Sequence, residues 1–212
     1  MHIKICGITN SADADAAIAI GASAIGINLV PSSPRLVDLE LAKQLVEHIG
    51  GRALTVLVVA DLELARMQAL LAQTGAGCLQ LHGDELLELL VPLLPHAYKA
   101  VRVGGQLDVE HARSYPGEHL LVDARVAGAL GGTGHCVDWE LVLPLARERK
   151  LTLAGGLTPA NVAEAISTVA PFCVDVASGV EERGQPRRKD PAKLRAFAEA
   201  VAGVTLPVRR AD

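Results

Sequence analysis

Short β-branched runs alternate along the chain with longer stretches whose apolar residues recur at helical spacing. The first run is His2–Cys6, followed by an Ala-rich helix that Asn10 or Ser11 can cap and that Gly21 ends after Ile20. Ala24–Leu29 predicts the second strand, Pro31–Arg35 a Pro/Ser loop, and Asp38 to about Ile49 a helix stopped by Gly50–Gly51. Strands are predicted again at Leu54–Val59, Cys78–Leu81, Ala97–Val101, His119–Asp123, Leu151–Ala154 and Phe172–Ala177. The helices between and after them run from about Asp61 to Gln73, Asp84 to Leu90, Leu107 to Ser114, Trp139 to Arg147, Pro159 to Val169 and Pro191 to Val201. The segments GASAIGI (21–27) and GAGCLQL (75–81) echo each other, each placing Gly-Ala just before a strand.

Eight β/α units follow one another without a linker. Strict alternation demands a parallel sheet with right-handed crossovers. Eight units in 212 residues favour an α/β fold of one compact domain, a closed parallel (β/α)8 sheet of the TIM-barrel kind, with 205–212 as a loose C-terminal tail. A doubly wound open sheet is the alternative, but the first strand ends in CGIT and no GxGxxG fingerprint follows it. In such a barrel the active site lies at the C-terminal strand ends, so those residues carry the functional question.

Composition fits this picture. Half of the residues are hydrophobic but only 2% are aromatic, so the core must be aliphatic, as in parallel sheets covered by helices. The formal net charge of −4 gives no footprint for nucleic acid. The cluster Arg187, Arg188, Lys189 is local, lies near acidic residues and reads as a solvated turn. The start MHIKICGIT lacks a signal-peptide hydrophobic region, and no apolar run is long enough for a bilayer, which points to a soluble cytoplasmic protein with no membrane partner. The four cysteines, Cys6, Cys78, Cys136 and Cys173, show no CxxC spacing, so neither a metal site nor a disulfide framework is expected.

Reading the strand ends gives Cys6, Gln80, His82, Asp123, Gly155, Gly156, Asp175, Ser178 and Gly179, with Arg35 from the second loop. AGGL (154–157) and ASGVE (177–181) end strands seven and eight, where barrels of this kind often bind phosphate through backbone N–H groups. The same glycines would equally serve tight turns, and Ser178 could add a hydroxyl donor. Cys6 is either an inert core thiol or, as a thiolate, a proton acceptor. Asp123 either caps the next loop or, kept protonated in a barrel mouth, acts as an acid. Arg35 in SSPR is either a solvated side chain or a bidentate clamp for a carboxylate. Gln80 and His82 could orient polar atoms of a substrate. Asp175 faces the barrel or its rim according to a register that sequence leaves open.

At this point a family resemblance emerges. KICGIT (4–9), SPR (33–35), QLHG (80–83), VDA (122–124), GGTG (131–134), DW (138–139), AGGL (154–157) and VDVASGVE (174–181) resemble the ordered signature of the phosphoribosylanthranilate isomerases, and the resemblance continues to the KD at 189–190. It implies a cofactor-free enzyme of tryptophan biosynthesis, performing an Amadori rearrangement of N-(5′-phosphoribosyl)anthranilate to the 1-(2-carboxyphenylamino)-1-deoxyribulose 5-phosphate. The family's general base falls on Cys6 and its general acid on Asp123. Its aromatic-carboxylate clamp falls on Arg35, and its phosphate groups fall on the backbone around Gly155, Gly156, Ser178 and Gly179. His82 falls within the QLHG segment. The implied partner is a small phosphorylated substrate, and the working form is a monomer or homodimer.

GINL (26–29) and VLVVAD (56–61) depart from the common pattern, lacking the Phe that many relatives carry there, and RGQPRRKD (183–190) is slightly long. The GGTG segment reads as a lid beside Asp123, from its glycine content. Two other readings share the phosphate loops: another phosphosugar isomerase or epimerase of the barrel class, and a silent barrel that binds a phosphorylated metabolite.

Overall fold

The computed structural model describes residues 1–123 and 139–205. Eight parallel strands form a closed barrel in chain order: β1 (His2–Cys6), β2 (Ala24–Asn28), β3 (Leu54–Val59), β4 (Cys78–Leu81), β5 (Ala97–Arg102), β6 (His119–Asp123), β7 (Lys150–Ala154) and β8 (Cys173–Val176). Pairing of β1 with both β2 and β8 closes the ring. Around it lie α1 (Ser11–Ala19), α2 (Leu39–Ile49), α3 (Leu64–Thr74), α4 (Leu87–Leu90), α5 (Gln106–Ser114), α6 (Leu143–Glu148), α7 (Val162–Val169) and α8 (Pro191–Ala202). This is the closed barrel that the strand count implied. Among the described residues no helix is long and apolar enough to cross a membrane.

Local chemistry sets the helix ends. The side chains of Asn10, Asp38 and Asp190 accept amide hydrogens in the first turns of α1, α2 and α8. Gly50 and Gly75 close α2 and α3 in the left-handed conformation.

The strands are buried on both faces. Outward residues such as Ile5, Ile25, Leu57, Leu79 and Leu153 pack beneath the helices. Inward residues form a smaller apolar cluster of Ala24, Val56, Cys78, Tyr98, Ala100, Leu121 and Ala154. Beside that cluster the interior also holds a buried ion pair, Lys4 with Asp175.

Among the stretches that differ from the sequence expectation, three have a clear cause. α3 starts at Leu64, not Asp61, because Asp61 takes a left-handed backbone (φ 53°) and its carboxylate accepts the Asp84 amide across the rim. α4 is reduced to Leu87–Leu90 because Glu85 is engaged elsewhere: it accepts from the amides of Asp61 and Gly83 and pairs with buried Lys99 at 2.9 Å. The cluster Arg187, Arg188, Lys189 is not a turn but the end of a strand, with Arg187 and Arg188 exposed and Lys189 buried. Gln185–Lys189 (β10) pairs antiparallel with Glu181–Glu182 (β9), and Lys189 is buried against Glu181. Residues 124–138, with GGTG, Cys136 and Asp138, and the tail from 206 lie outside the described residues.

Candidate active site

At the C-terminal rim a cavity of about 570 Å³ is lined by Cys6, Arg35, Gln80, His82, Asp123, Gly155, Gly156, Asp175 and Ser178 among others. Gly179 alone of the anticipated residues stays off its wall. A β-carbon at Gly179 would run into the Leu157 carbonyl, so the missing side chain lets the β8 loop lie against the β7 loop.

Cys6 ends β1, in register with Gly26 of β2. The chain then turns away at Gly7 (φ 77°), and the amides of Gly7 and Ile8 both donate to the Gly26 carbonyl. Arg35 packs over Gly7 in the space a β-carbon would need. Burial pushes the Cys6 thiol up from its ordinary value, the Lys4 charge opposes this most, Asp175 reinforces it and Lys189 weakens it.

Asp175 faces the barrel interior, which settles the register question: its Oδ2 accepts from Lys4 Nζ at 2.9 Å. Burial works against the Lys4 ammonium, but the Asp175 carboxylate, with smaller contributions from Cys6 and Tyr98, outweighs it and holds the pKa well above the usual lysine range.

Gln80 and His82 form one chain of bonds. Tyr98 donates its hydroxyl to Gln80 Oε1 (3.1 Å), and Gln80 Nε2 lies 2.9 Å from His82 Nδ1. An amide N–H donating into Nδ1 leaves the ring hydrogen on Nε2, so His82 is a neutral donor. Burial lowers its pKa, partly offset by Asp123 and reinforced by Arg102.

Asp123 ends β6, in register with Arg102 on one side and Ala154 on the other. Counting around the ring, β6 stands three strands from β1.

Arg35 reaches across to the β8 loop. Its Nε and Nη2 donate to the two Glu181 oxygens at 2.5 and 2.7 Å, and Lys189 Nζ donates to Glu181 Oε1 at 3.0 Å. The bonds to Glu181 raise the Arg35 pKa against the effect of its burial, whereas burial lowers that of Lys189.

The glycine loops form the corner where an anion was anticipated. Gly155 and Gly156 both have positive φ (97° and 67°), and Asn161 ties the turn by accepting from the Thr158 amide and donating to the Gly156 carbonyl. Ser178 opens a one-turn 3-10 helix beside them, with its side chain exposed.

Sequence reading missed Lys4 and Arg102. Inward alternation back from Cys6 would have found Lys4. Arg102 is the last residue of β5, one beyond the predicted strand, and lines the cavity.

Known proteins resemble the chain over nearly its whole length. A family model described as "N-(5′phosphoribosyl)anthranilate (PRA) isomerase" matches residues 3–200. The N-(5′-phosphoribosyl)anthranilate isomerase of Pseudomonas aeruginosa (strain LESB58) is 41% identical over 203 residues, covering 95% of each chain. The crystal structure of the phosphoribosyl anthranilate isomerase from Thermotoga maritima superposes with a TM-score of 0.86 at 35% identity, covering 96% of this chain and 100% of the other. A phosphoribosyl anthranilate isomerase in complex with reduced 1-(o-carboxyphenylamino)-1-deoxyribulose 5-phosphate is similar too, with a TM-score of 0.83 at 33% identity and the same coverage.

Proposed function

The chain belongs to the N-(5′-phosphoribosyl)anthranilate isomerase family, and from that premise we propose that Cys6 and Asp123 carry out the family's reaction from two sides of the barrel mouth. That reaction is the Amadori rearrangement of N-(5′-phosphoribosyl)anthranilate in tryptophan biosynthesis. The supporting observation is that Cys6, Asp123, Arg35 and the Gly155–Gly156 turn, far apart in sequence, wall a single cavity.

Asp123 gives a proton to the ribose ring oxygen, and the ring opens to a Schiff base. Cys6, as thiolate, takes the proton from C2′. The electron pair of that C–H bond moves to form the C1′–C2′ double bond, while the iminium nitrogen accepts the former C=N pair. The resulting enolamine tautomerises to the aminoketone. The electron sink belongs to the substrate, and acid and base are needed at opposite sides of it.

Binding supplies position. The backbone of Gly155, Gly156, Ser178 and Gly179 holds the phosphate. Arg35 holds the anthranilate carboxylate through Nη1, the terminal nitrogen left by its two bonds to Glu181. His82 Nε2–H and, behind it, Gln80 orient the sugar oxygens, while Asp175 fixes the floor. The partner is a small phosphorylated molecule, and every group used comes from one chain, so the reading is the same for a monomer and a homodimer. Another phosphosugar isomerase or a silent barrel would use the phosphate loops alone; family membership favours the reading that also employs Cys6 and Arg35.

The test is turnover of freshly made phosphoribosylanthranilate, followed by loss of its fluorescence. Cys6→Ser and Asp123→Asn should each lose about 10²–10⁴-fold in kcat with the fold intact. Either variant turning over at the wild-type rate would overturn its assigned role.

A further inference from the structure

We propose that Lys4, clamped by Asp175 inside the barrel, is the counter-cation of the Cys6 thiolate, a positioning residue that makes this sulfur a usable base. The proposal rests on the reading of Cys6 as the proton acceptor.

Three observations carry it. Lys4 stands two residues before Cys6 on β1, so both side chains point into the barrel. The interior beside Lys4 is a mainly apolar cluster that includes Tyr98, and its Nζ is tied to Asp175 on the neighbouring strand, where Lys4 and Asp175 are in register. Finally, β2 has no side chain opposite: a β-carbon built on Gly26 would stand 2.7 Å from Cys6 Sγ and 3.1 Å from Lys4 Nζ. Sulfur and ammonium therefore flank the space that Gly26 leaves open, at most the sum of those two distances apart.

A buried ion pair is a poor stabilising device, because desolvation offsets its attraction and a packed apolar pair would serve as well. Held beside a thiol, the same pair has a chemical use. A thiol walled by protein resists ionisation, and a fixed cation within a few ångströms offsets that resistance. The charged and titratable groups facing Cys6 are Lys4 from its own strand, Asp175 from β8, Tyr98 from β5, Arg35 from the β2–α2 loop and Lys189 from β10. Lys4 has the largest effect among the cations, and Asp175 acts with the opposite sign. During turnover the substrate C2′–H bond breaks and an S–H bond forms at Cys6. Lys4 keeps its protons throughout, so only the charge beside it changes.

The experiment measures the pH dependence of iodoacetamide alkylation of Cys6, read by mass spectrometry of the Cys6 peptide, beside the pH profile of kcat/KM. Lys4→Met should raise the alkylation midpoint by about 1–3 pH units and move the acid limb of kcat/KM with it. Lys4→Arg should hold the midpoint near the wild type, and Asp175→Asn, which keeps the cation and removes its anion, should lower it. If Lys4→Met fails to fold, the double variant Lys4→Met/Asp175→Asn leaves no buried charge unpaired and carries the same test, with a smaller rise. An unchanged midpoint in the folded Lys4→Met or double variant overturns the proposal. Undiminished turnover by Cys6→Ser would instead overturn the role of Cys6 as base, while the alkylation midpoints still judge Lys4.

Discussion

Replacing Gly26 with alanine separates the demands of chemistry from those of folding. The backbone at Gly26 is outside the left-handed region, so alanine adds no conformational strain there, and its effect is purely one of space. The new β-carbon would meet Cys6 Sγ at 2.7 Å and the Cys6 α-carbon at 3.1 Å. The sulfur can leave only by changing rotamer, and the close approach to the Cys6 backbone then asks β1 and β2 to part slightly. Overpacking of this kind costs about 1–3 kcal/mol, roughly a 2–12 °C fall in Tm for a chain of this size. A base displaced by about 1 Å can lose on the order of 100-fold in rate, well beyond that modest loss of stability. Gly77→Ala is the matched control. Its β-carbon would come within 2.6 Å of Leu54 Cδ1, the far end of a side chain that is 47% exposed and can swing into solvent. Stopped-flow loss of substrate fluorescence and thermal denaturation, run on both variants, give the two readouts. Gly26→Ala should fold and turn over at about 1% of the wild-type kcat, with Gly77→Ala within a few-fold of it. A Gly26→Ala enzyme within about threefold of wild type would refute the geometry on which the Cys6 assignment depends.

Two further outcomes follow from buried groups at the rim. Glu85→Gln leaves Lys99 buried without its carboxylate and should cost about 3–5 kcal/mol, roughly 6–20 °C in Tm; thermal denaturation with a shift under about 2 °C would show that the pair holds nothing. His82 is half-buried in a way that disfavours its charged form, so the unfolded chain takes up the proton first: its contribution is present above about pH 6.5 and is lost as pH falls through the lower folded value. His82→Gln should therefore flatten the fall in urea midpoint between about pH 7.5 and 5.5, and a slope equal to wild type would reject this account of the ring.

The eight-fold alternation was legible because every strand is buried on both faces, which writes each one as a short apolar run bounded by turn residues. The same double burial hid the register. With apolar residues on both sides, nothing in VDV (174–176) says which way Asp175 points, and the closed ring had to place Lys4 beside it. The place of Cys6, Asp123 and the AGG turn on the cavity wall was legible because they end strands, where barrel cavities open. Arg102 was missed for the mirror reason, since β5 runs one residue further than its apolar stretch. At the helix starts, Asp61, Asp84 and Glu85 look like first-turn acids, yet Asp61 and Glu85 bond across loops and Asp84 gives its amide to Asp61. That choice depends on distant neighbours, which local pattern does not contain.

The β9–β10 hairpin links these threads, because its Glu181 and Lys189 hold the side chain proposed to meet the substrate carboxylate. Gly184 (φ 75°) makes the turn, and the hairpin is braced on every side. Thr9 donates to the Arg187 carbonyl, Arg187 to the Leu36 carbonyl, and the Lys189 amide to Asp13. The loops after β1, β2 and β8 thus form one wall around Cys6, and Glu181 sits inside it between Arg35 and Lys189. At Glu181 itself two cations, Arg35 and Lys189, meet one carboxylate. In the proposed reading Glu181 need not vacate Arg35, because its two bonds leave Nη1 for the substrate. By occupying Nε and Nη2 it locks the guanidinium plane and presents the rest of the fork, so under the proposed clamp less rotamer freedom would be lost on binding the anthranilate carboxylate. A stretch that reads locally as a solvated basic turn becomes, through one buried lysine and one buried glutamate, the part of the fold that aims the proposed clamp.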